Sequence, residues 1–189
     1  MKLHAVAAGL FLAVPAISLA APIVAIDADP TQAGVQASRT VTEGSSFEVD
    51  LVVSDVSASS PVQSFQIELG VSSDAVTPLD ALDGAFLEAP VLTLQEILTP
   101  SSVRFAQISA DPTGASGGGV LARFLFEATA PGDAALTLPT VLLSAPFGTP
   151  IFVGEIRGAN VAVAAVPEPT GALLFAVALI AARAAAMRR

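Results

Sequence analysis

The sequence contains no cysteine, no tryptophan and no tyrosine, and its single histidine is His4. Without cysteine, no disulfide can stabilise an exported fold and no thiolate can serve as a nucleophile or metal ligand. Because His4 lies in an N-terminal apolar segment, the rest of the chain also lacks the imidazole that Ser-His-Asp catalysis and histidine-ligated zinc require. We therefore predict no catalytic residue and a protein that is not an enzyme.

Basic side chains are scarce outside the two ends of the chain. Residues 21–165 hold 16 acidic residues and four arginines, which gives a net charge of −12. A nucleic-acid-binding domain needs a basic patch, so this class of partner is excluded. The negative charge favours solubility and association with cations outside the membrane.

Residues 1–20 have the features of a secretory signal peptide. Lys2 precedes an apolar run, and small residues stand before a predicted cut between Ala20 and Ala21. An N-terminal transmembrane helix is the alternative, which the shortness of the run and Pro15 disfavour. Residues 21–165 are then expected to form one exported domain.

Alternation of apolar and polar side chains predicts that this domain is all-β. Residues 47–53, 65–69 and 120–128 alternate with a period of two, which is typical of strands with one buried face. Clusters of turn-forming residues separate the candidate strands, and residues 72–87 leave room for a single turn of helix. Many short strands at this spacing predict a β-sandwich. Further strands are predicted over 103–108, 136–143, 151–156 and 159–163, and weaker ones over 24–27, 38–42, 76–82 and 91–97.

The clearest strand also predicts part of the core. Over residues 120–128, Phe124 and Phe126 share one face, and Arg123 shares the other with Leu121. We expect the phenylalanine face to point inward.

Four acidic residues are weak candidates for a calcium site, because a hard cation needs clustered carboxylates and carbonyls. Asp27 and Asp29 follow a predicted strand, Asp111 precedes a glycine-rich loop, and Asp133 lies in a Pro-Gly-Asp turn. None has EF-hand spacing, and solvated loop carboxylates are the alternative interpretation. We predict no other metal and no cofactor.

The sequence has few of the residues that cleavage or binding of a sugar requires. Asp80 and Asp83 are a close acidic pair of the kind a glycosidase needs, but we interpret them as solvated loop residues. Carbohydrate-binding modules usually stack sugars on aromatic rings, and only phenylalanine is present. Phe86, Phe147 and Phe152 are the candidates for exposure, and we expect them to pack in the core or at its edge.

The C-terminal segment combines three features in a fixed order. Val166-Pro167-Glu168-Pro169 is stiff and extended, and the apolar run 171–182 follows it. That run is about 18 Å long as a helix, against a hydrocarbon core of about 30 Å. Arg183, Arg188 and Arg189 then place the C-terminus in the cytoplasm and favour membrane retention.

This order resembles the PEP-CTERM sorting signal of Gram-negative bacteria, which here would cover 166–189 with a transmembrane helix over about 170–187. The resemblance implies that a membrane protease-transferase called exosortase recognises Val166, Pro167, Glu168 and Pro169. It also implies export through the secretion machinery, an intermediate held in the inner membrane, and final release or attachment at the cell surface. An ordinary C-terminal anchor is the alternative.

The middle of the chain resembles a cohesin-like domain in the strand patterns of residues 23–27, 41–54, 65–69 and 118–128. The resemblance implies a single jelly-roll β-sandwich of about nine strands, related in fold to some carbohydrate-binding modules. A generic immunoglobulin-like sandwich is the alternative. We expect an exported, non-enzymatic surface or matrix protein; the alternative is a carbohydrate-binding or protein-scaffolding module that acts on extracellular polysaccharide. Its partners would be that polysaccharide or another surface protein.

Overall fold

Twelve β-strands and one short 3-10 turn make up residues 21–166, which are the residues that the computed structural model describes. The predicted signal peptide up to Ala20, and the sorting signal from Pro167 onward, lie outside the described residues. The strands are β1 (Ile23–Asp27), β2 (Ser38–Thr42), β3 (Ser46–Val56), β4 (Ser64–Val71), β5 (Val76–Asp83), β6 (Val91–Thr99), β7 (Ser102–Ser109), β8 (Gly117–Ala128), β9 (Gly132–Ala145), β10 (Thr149–Ile151), β11 (Glu155–Arg157) and β12 (Ala159–Ala164).

The strands form two sheets that pack face to face as a jelly-roll sandwich. The five-stranded sheet has the order β11-β1-β3-β8-β5. The seven-stranded sheet has the order β2-β12-β9-β4-β7-β6, and β10 pairs with the end of β9. Pairing is antiparallel except between β1 and β11 and between β2 and β12. The predicted all-β sandwich is therefore confirmed; between residues 21 and 166 no helix has the length and apolarity to cross a membrane.

Aromatic side chains fill the space between the sheets, as the alternating pattern predicts. Phe47 stacks on Phe126 with ring centroids 5.6 Å apart, and the edge of Phe105 meets Phe124 at 6.2 Å. Phe65 packs on Phe105 at the same centroid distance of 6.2 Å. All five rings are buried, so the predicted inward facing of Phe124 and Phe126 is confirmed.

The predicted outward facing of Leu121 is wrong. Leu121 is fully buried, because β8 carries a bulge there: Ala122 pairs with Leu51, whereas Val120 pairs with Val52. A bulge inserts one residue and shifts the alternation of faces. The segment after β5 then covers the bulge, with the amide of Gly84 donating to the Leu121 carbonyl at 3.1 Å. Any Cβ at Gly84 would lie 2.1 Å from the Val120 carbonyl oxygen, so only glycine fits this close approach.

Two local predictions need correction. Residues 151–156 do not form one strand: β10 belongs to the seven-stranded sheet and β11 to the five-stranded sheet, so the chain crosses between sheets at 152–154. The amide of Gly154 donates to the Pro22 carbonyl at this crossing. Residues 72–87 contain β5 and no helical turn, since cross-strand pairing with β8 overrides the local preference.

The chain enters and leaves the sandwich at opposite ends. Ile23 pairs with Ser54 near the end of β3, so the N-terminal end of the domain lies there. At the other end of β3, the amide of Glu43 donates to the Ala164 carbonyl, next to the exposed Val166. Because β3 has 11 residues, the two ends are about 35 Å apart at about 3.3 Å per residue.

Candidate functional site

The outer face of the seven-stranded sheet carries exposed aliphatic side chains on β9 and on the edge strand β6. Leu142 of β9 is 55% exposed, and Leu92 and Ile97 of β6 are 58% and 46% exposed. Ile108 of β7 is half-buried between them. We call the surface formed by Leu92, Ile97, Ile108 and Leu142 the aliphatic face.

Strand pairing places these residues in neighbouring cross-strand rows. One row holds Leu142, Gln66 and Ala106; the second holds Ser144, Ser64, Ile108 and Leu92; the third holds Thr140, Glu68, Arg104 and Ile97. Side chains directly opposite each other on antiparallel strands lie on the same side of the sheet. The aliphatic face therefore extends across β9, β4, β7 and β6, and the polar side chains of Ser64, Gln66, Glu68 and Arg104 lie among its aliphatic side chains.

A single ion pair crosses the aliphatic face. The Arg104 guanidinium lies 3.4 Å from the Glu68 carboxylate on the neighbouring strand. Both groups are partly solvated, so the pair contributes little to stability. It leaves the face with polar groups that can form hydrogen bonds to a ligand.

Two phenylalanines lie exposed near one end of this face, and the prediction that they pack in the core or at its edge is wrong. Phe147 is 100% exposed at the apex of the 3-10 turn, with a φ of 63° that bulky residues rarely adopt. Phe152 is 81% exposed and lines a shallow apolar groove with Leu142 and Ile156. Phe86 is buried, as predicted, beneath the segment that covers β8.

The calcium candidates Asp27 and Asp29 organise the loop after β1. The Asp27 carboxylate accepts hydrogen bonds from the Asp29 and Gln36 amides. The Asp29 carboxylate accepts from the Thr31 hydroxyl and from the side-chain amide of Gln32, both at 2.6 Å. These two hydrogen bonds lower the pKa of Asp29, and burial only partly opposes them. Protein donors therefore contact one carboxylate oxygen of Asp27 and both carboxylate oxygens of Asp29.

Asp133 and Asp111 lie apart from each other. Asp133 lines an open groove of about 700 Å³ together with Asp29, Arg39 and Asn160. Arg39 places a guanidinium nitrogen 3.5 Å from Asp29, so this groove already holds a cation next to its buried carboxylate. Within residues 21–166 no three acidic or histidine side chains meet in a way that would hold a metal ion. Calcium binding stays a prediction.

Asp111 instead closes a turn after β7. Its carboxylate accepts hydrogen bonds from the backbone amide and the hydroxyl of Thr113, at 2.8 Å and 2.7 Å. The amide first and the hydroxyl second lower the pKa of Asp111. This role is that of a turn-forming aspartate.

Asp80 and Asp83 lie in β5 and not in a loop. Asp83 accepts a hydrogen bond from the buried Gln107 side chain, which links the two sheets. The Asp80 carboxylate accepts from the neighbouring Ala81 amide. Each carboxylate therefore has a structural partner within the fold.

The aliphatic face was not predicted from the sequence, although one signal pointed to it. Val141, Leu142 and Leu143 are three consecutive apolar residues inside a strand. Because neighbouring strand residues point to opposite faces, one member of such a run must face outward.

Comparisons with known proteins agree with this architecture. No protein-family model and no curated protein matches the chain. Among solved structures, the chain is similar to a non-cellulosomal cohesin from Archaeoglobus fulgidus, with a TM-score of 0.60 and 18% identity, covering 77% of this chain and 92% of that one. A type I cohesin of Pseudobacteroides cellulosolvens gives a TM-score of 0.59 at 17% identity, covering 79% and 96%. The cohesin of a Clostridium thermocellum cohesin–dockerin complex gives 0.61 at 15% identity, covering 77% and 95%. These likenesses establish a cohesin-like jelly-roll fold.

Proposed function

We propose that this chain is an exported, non-catalytic protein-binding module that docks another surface protein on its aliphatic face. The observation that carries the proposal is the exposure of Leu92, Ile97 and Leu142 on well-paired strands. These three large aliphatic side chains all lie on the same outer face of the sandwich. Contiguous exposed apolar surface with polar neighbours is typical of protein interaction sites.

The cohesin-like fold supports a protein partner. A structurally similar cohesin from Clostridium thermocellum was solved in complex with a dockerin. The aliphatic face also has the composition of a docking surface, with apolar side chains beside the Glu68–Arg104 pair and several hydroxyl and amide groups. Such a mixture matches the apolar centre and polar rim of protein interfaces.

The charge of the domain indicates that the partner is basic. All four arginines of the domain form ion pairs: with Asp29, Glu68, Asp50 and Glu155. The surplus carboxylates therefore set the field around the molecule, which steers a basic partner toward it. Binding should weaken as salt is raised, because exposed charges are screened over about 10 Å at 0.1 M ionic strength.

Photo-crosslinking in the native host tests the docking face. A photoreactive phenylalanine analogue replaces Gln66, in the middle of the aliphatic face. The matched control replaces Glu127, which is exposed on the outer face of the five-stranded sheet. We expect one protein adduct, identified by mass spectrometry, from the Gln66 position only, and its loss when Leu142→Asp is added. Equal labelling at both positions, or an adduct that survives Leu142→Asp, would contradict this site.

The exposed phenylalanines favour extracellular polysaccharide as a second candidate ligand. Phe147 and Phe152 present free rings on which a sugar could stack. A glycan array probed with the protein and with a Phe147→Ala/Phe152→Ala variant tests this. Binding to a polysaccharide that the variant loses would favour the sugar, whereas no glycan binding leaves the protein partner.

Sorting through the C-terminal segment completes the proposed function. β12 ends at Ala164, and Val166 is exposed at the end of the domain opposite the N-terminus. This position supports a Pro-Glu-Pro motif that begins where the folded domain ends, within reach of a membrane enzyme. The proposal is that exosortase processes the chain there after export, so that the inner-membrane form is an intermediate.

Mass spectrometry of the C-terminus in membrane and extracellular fractions tests sorting. Replacing Pro167, Glu168 and Pro169 with alanine should trap the chain in the inner membrane at full post-signal length, while wild-type protein loses Arg189 and is found outside. A plain anchor needs only apolar length and charge and would not respond to the replacement. Wild-type protein that keeps Arg189 in every fraction would establish the plain anchor. The N-terminus of the exported form should begin at Ala21.

A further inference from the structure

β6 differs from the other three edges of the two sheets. β2 is a five-residue edge that includes Arg39, and β11 is a three-residue edge with Glu155 and Arg157 paired. β5 carries Pro78 and a bulge beside it. Short length, charge, proline and bulges are the features that protect an edge from pairing with another chain.

Of these features β6 has only a bulge and one charged residue. It is nine residues long, contains no proline and no basic residue, and its only charged side chain is Glu96. Leu92, Leu94 and Ile97 are among the most exposed large apolar residues of the domain. Among residues 21–166 it pairs with β7 alone, so one row of its backbone groups has no partner strand. An edge of this kind is a template for a further strand.

A bulge in β6 gives the two halves of this strand mirror-related orders of inward and outward side chains. The register with β7 shifts between Thr93 and Gln95, so Leu94 is the extra residue of a bulge. In a regular strand the faces simply alternate, and the inserted residue reverses that alternation for the second half.

Pairing with β7 shows which way each half faces. Before the bulge, Leu92 is opposite the outward Ile108; after it, Ile97 is opposite the outward Arg104. On the inner side are Val91 and Thr93 before the bulge and Glu96 and Leu98 after it, opposite Ser109, Gln107, Phe105 and Val103. From residue 91 to 98 the order of faces is therefore the same when read in either direction.

We propose that two copies of this chain pair through β6 as antiparallel strands, about a two-fold axis between Leu94 and Gln95. In this register Leu92 lies opposite Ile97 of the second copy, and both point outward. Val91 lies opposite Leu98 of the second copy, and both point inward. A two-fold interface must be complementary to itself, and the bulge gives β6 this property.

The charges of β6 are compatible with this register. Glu96 lies opposite Thr93 of the second copy, so no carboxylate faces another across the strand pair. The two domains still repel each other through their net negative charge at longer range. Salt screens long-range repulsion and leaves the strand contacts intact. The dimer should therefore become stronger as salt is raised, the opposite of the trend expected for the basic docking partner.

Pairing would also join the aliphatic faces of the two copies. β6 forms one margin of that face, so a continuous sheet would run from one copy into the other with the outward Leu92 and Ile97 residues at the junction. The dimer shares Leu92 and Ile97 with the aliphatic face, but it rests on the pairing of backbone edges and does not require that the face docks a partner.

A mixing experiment with single-cysteine variants tests the register, since the natural chain has no cysteine. Full-length Leu92→Cys and Ile97→Cys proteins are prepared separately in detergent, then exposed to a mild oxidant alone or as an equal mixture. Residues directly opposite on antiparallel strands have Cα atoms about 4.5–5.5 Å apart, within reach of a disulfide. Position 92 lies about five residues, or about 17 Å, from position 92 of the second copy.

We expect disulfide-linked dimer in the mixture and almost none in either variant alone. Peptide mapping should then find a single link, between positions 92 and 97. No linked dimer in the mixture, or equal linking in the separate variants, would overturn the proposed pairing.

Sedimentation of proteins that carry no introduced cysteine provides a second, independent test of the dimer. Ile97→Lys places a charge beside Leu92 of the second copy and should raise the dimer dissociation constant at least tenfold. Leu142→Lys is the matched control, because it adds the same charge to the same outer face, away from the edge. A wild-type chain that stays monomeric at high salt would overturn the proposal, and so would a dimer that Leu142→Lys weakens more than Ile97→Lys does.

Discussion

The two outer faces of the sandwich are built differently. On the five-stranded sheet, the central strands β3 and β8 present the row of Asp50 and Arg123, with the Arg123 Nε atom 2.8 Å from the Asp50 carboxylate. The loop after β1 covers part of this face, where Pro30 and Thr31 lie beside Leu125. On the seven-stranded sheet, the central strand β9 presents Leu142 directly to solvent.

The two faces differ in how much apolar area their central strands leave uncovered. The five-stranded sheet pairs the outward charges of its central strands through an ion pair and covers them in part with a loop, and its exposed Leu82 lies on the edge strand β5. The seven-stranded sheet leaves apolar area uncovered, although covering it would stabilise the domain by about 25 cal/mol per Å². The uncovered apolar area of the seven-stranded sheet is the feature on which the proposed docking site rests.

A substitution in the interior between the two sheets should lower the free energy of unfolding more than a substitution on either outer face. Phe126 is fully buried and stacks on Phe47, so Phe126→Ala should lower the free energy of unfolding by about 3–5 kcal/mol. Chemical denaturation measures this. Phe152→Ala is the matched control, since the exposed ring of Phe152 should contribute little. Equal effects of the two variants would mean that the interior is not where the fold gains its stability.

On the five-stranded face, Arg123→Met should have an intermediate effect. Asp50 is buried, and Arg123 donates hydrogen bonds to both of its carboxylate oxygens. These bonds raise the pKa of the Arg123 guanidinium. Removing the donor leaves a buried carboxylate without its strongest partner, which should cost about 1.5–3 kcal/mol in the free energy of unfolding.

A second arginine variant serves as control for this ion pair. Arg157→Met removes an arginine whose partner Glu155 is as exposed as itself. Pairs of this kind contribute almost nothing measurable. If both variants destabilise the domain equally, general loss of positive charge is the cause, and the Asp50 contact is not.

The sequence was sufficient to predict the β-sandwich because, along most strands, the alternation of apolar and polar side chains agrees with the cross-strand pairing. Phe124 and Phe126 alternate with Arg123 and Leu125, and cross-strand pairing only reinforces that pattern. Even the weaker patterns over 38–42 and 91–97 became strands. The point at 152–154 where the chain passes from one sheet to the other could not be predicted in this way. Its apolar residues continue the pattern of β10, although β10 pairs with β9 and the following strand β11 pairs with β1.

Bulges limit what alternation can predict about a surface. Leu121 and Leu94 are each one extra residue in a strand, and nothing in their side chains distinguishes them from regular strand residues. A bulge is fixed by the partner strand and by whatever covers it, such as the Gly84 segment over β8. The side of the sheet on which a side chain lies was therefore predictable within strands that have no bulge. The aliphatic face and the β6 edge could be identified only from the strand pairing in the structure.

On the seven-stranded face, Leu142→Asp should separate binding from stability. The Leu142 side chain is more than half exposed, so its replacement should change the free energy of unfolding by no more than about 0.5 kcal/mol. The crosslinked adduct should nevertheless disappear, because a carboxylate in an apolar contact loses its hydration without a partner. Calorimetry of the variant and crosslinking from position 66 measure the two effects separately. A large loss of stability would mean that Leu142 belongs to the core.

The smallest expected effect compares two turn-forming carboxylates, one on each side of the sandwich. Hydrogen bonds lower the pKa of Asp29 beside the five-stranded sheet and of Asp111 after β7 of the seven-stranded sheet. A carboxyl with a lowered pKa in the folded state contributes its full stability above its unfolded pKa, about 3.9. As the pH falls below that value the unfolded chain takes up the proton first, so the contribution declines until the folded carboxyl is protonated too.

Two isosteric variants distinguish the two carboxylates. Thr31→Val removes the hydroxyl that is the largest cause of the lowered pKa of Asp29, so this pKa should rise clearly in a carbon-detected carboxyl titration. Thr113→Val removes only the hydroxyl at Asp111 and keeps the backbone amide, which is the larger cause there. The pKa of Asp111 should therefore rise less. A larger rise at Asp111 than at Asp29 would show that side-chain donors control both turns, contrary to the hydrogen bonds described above.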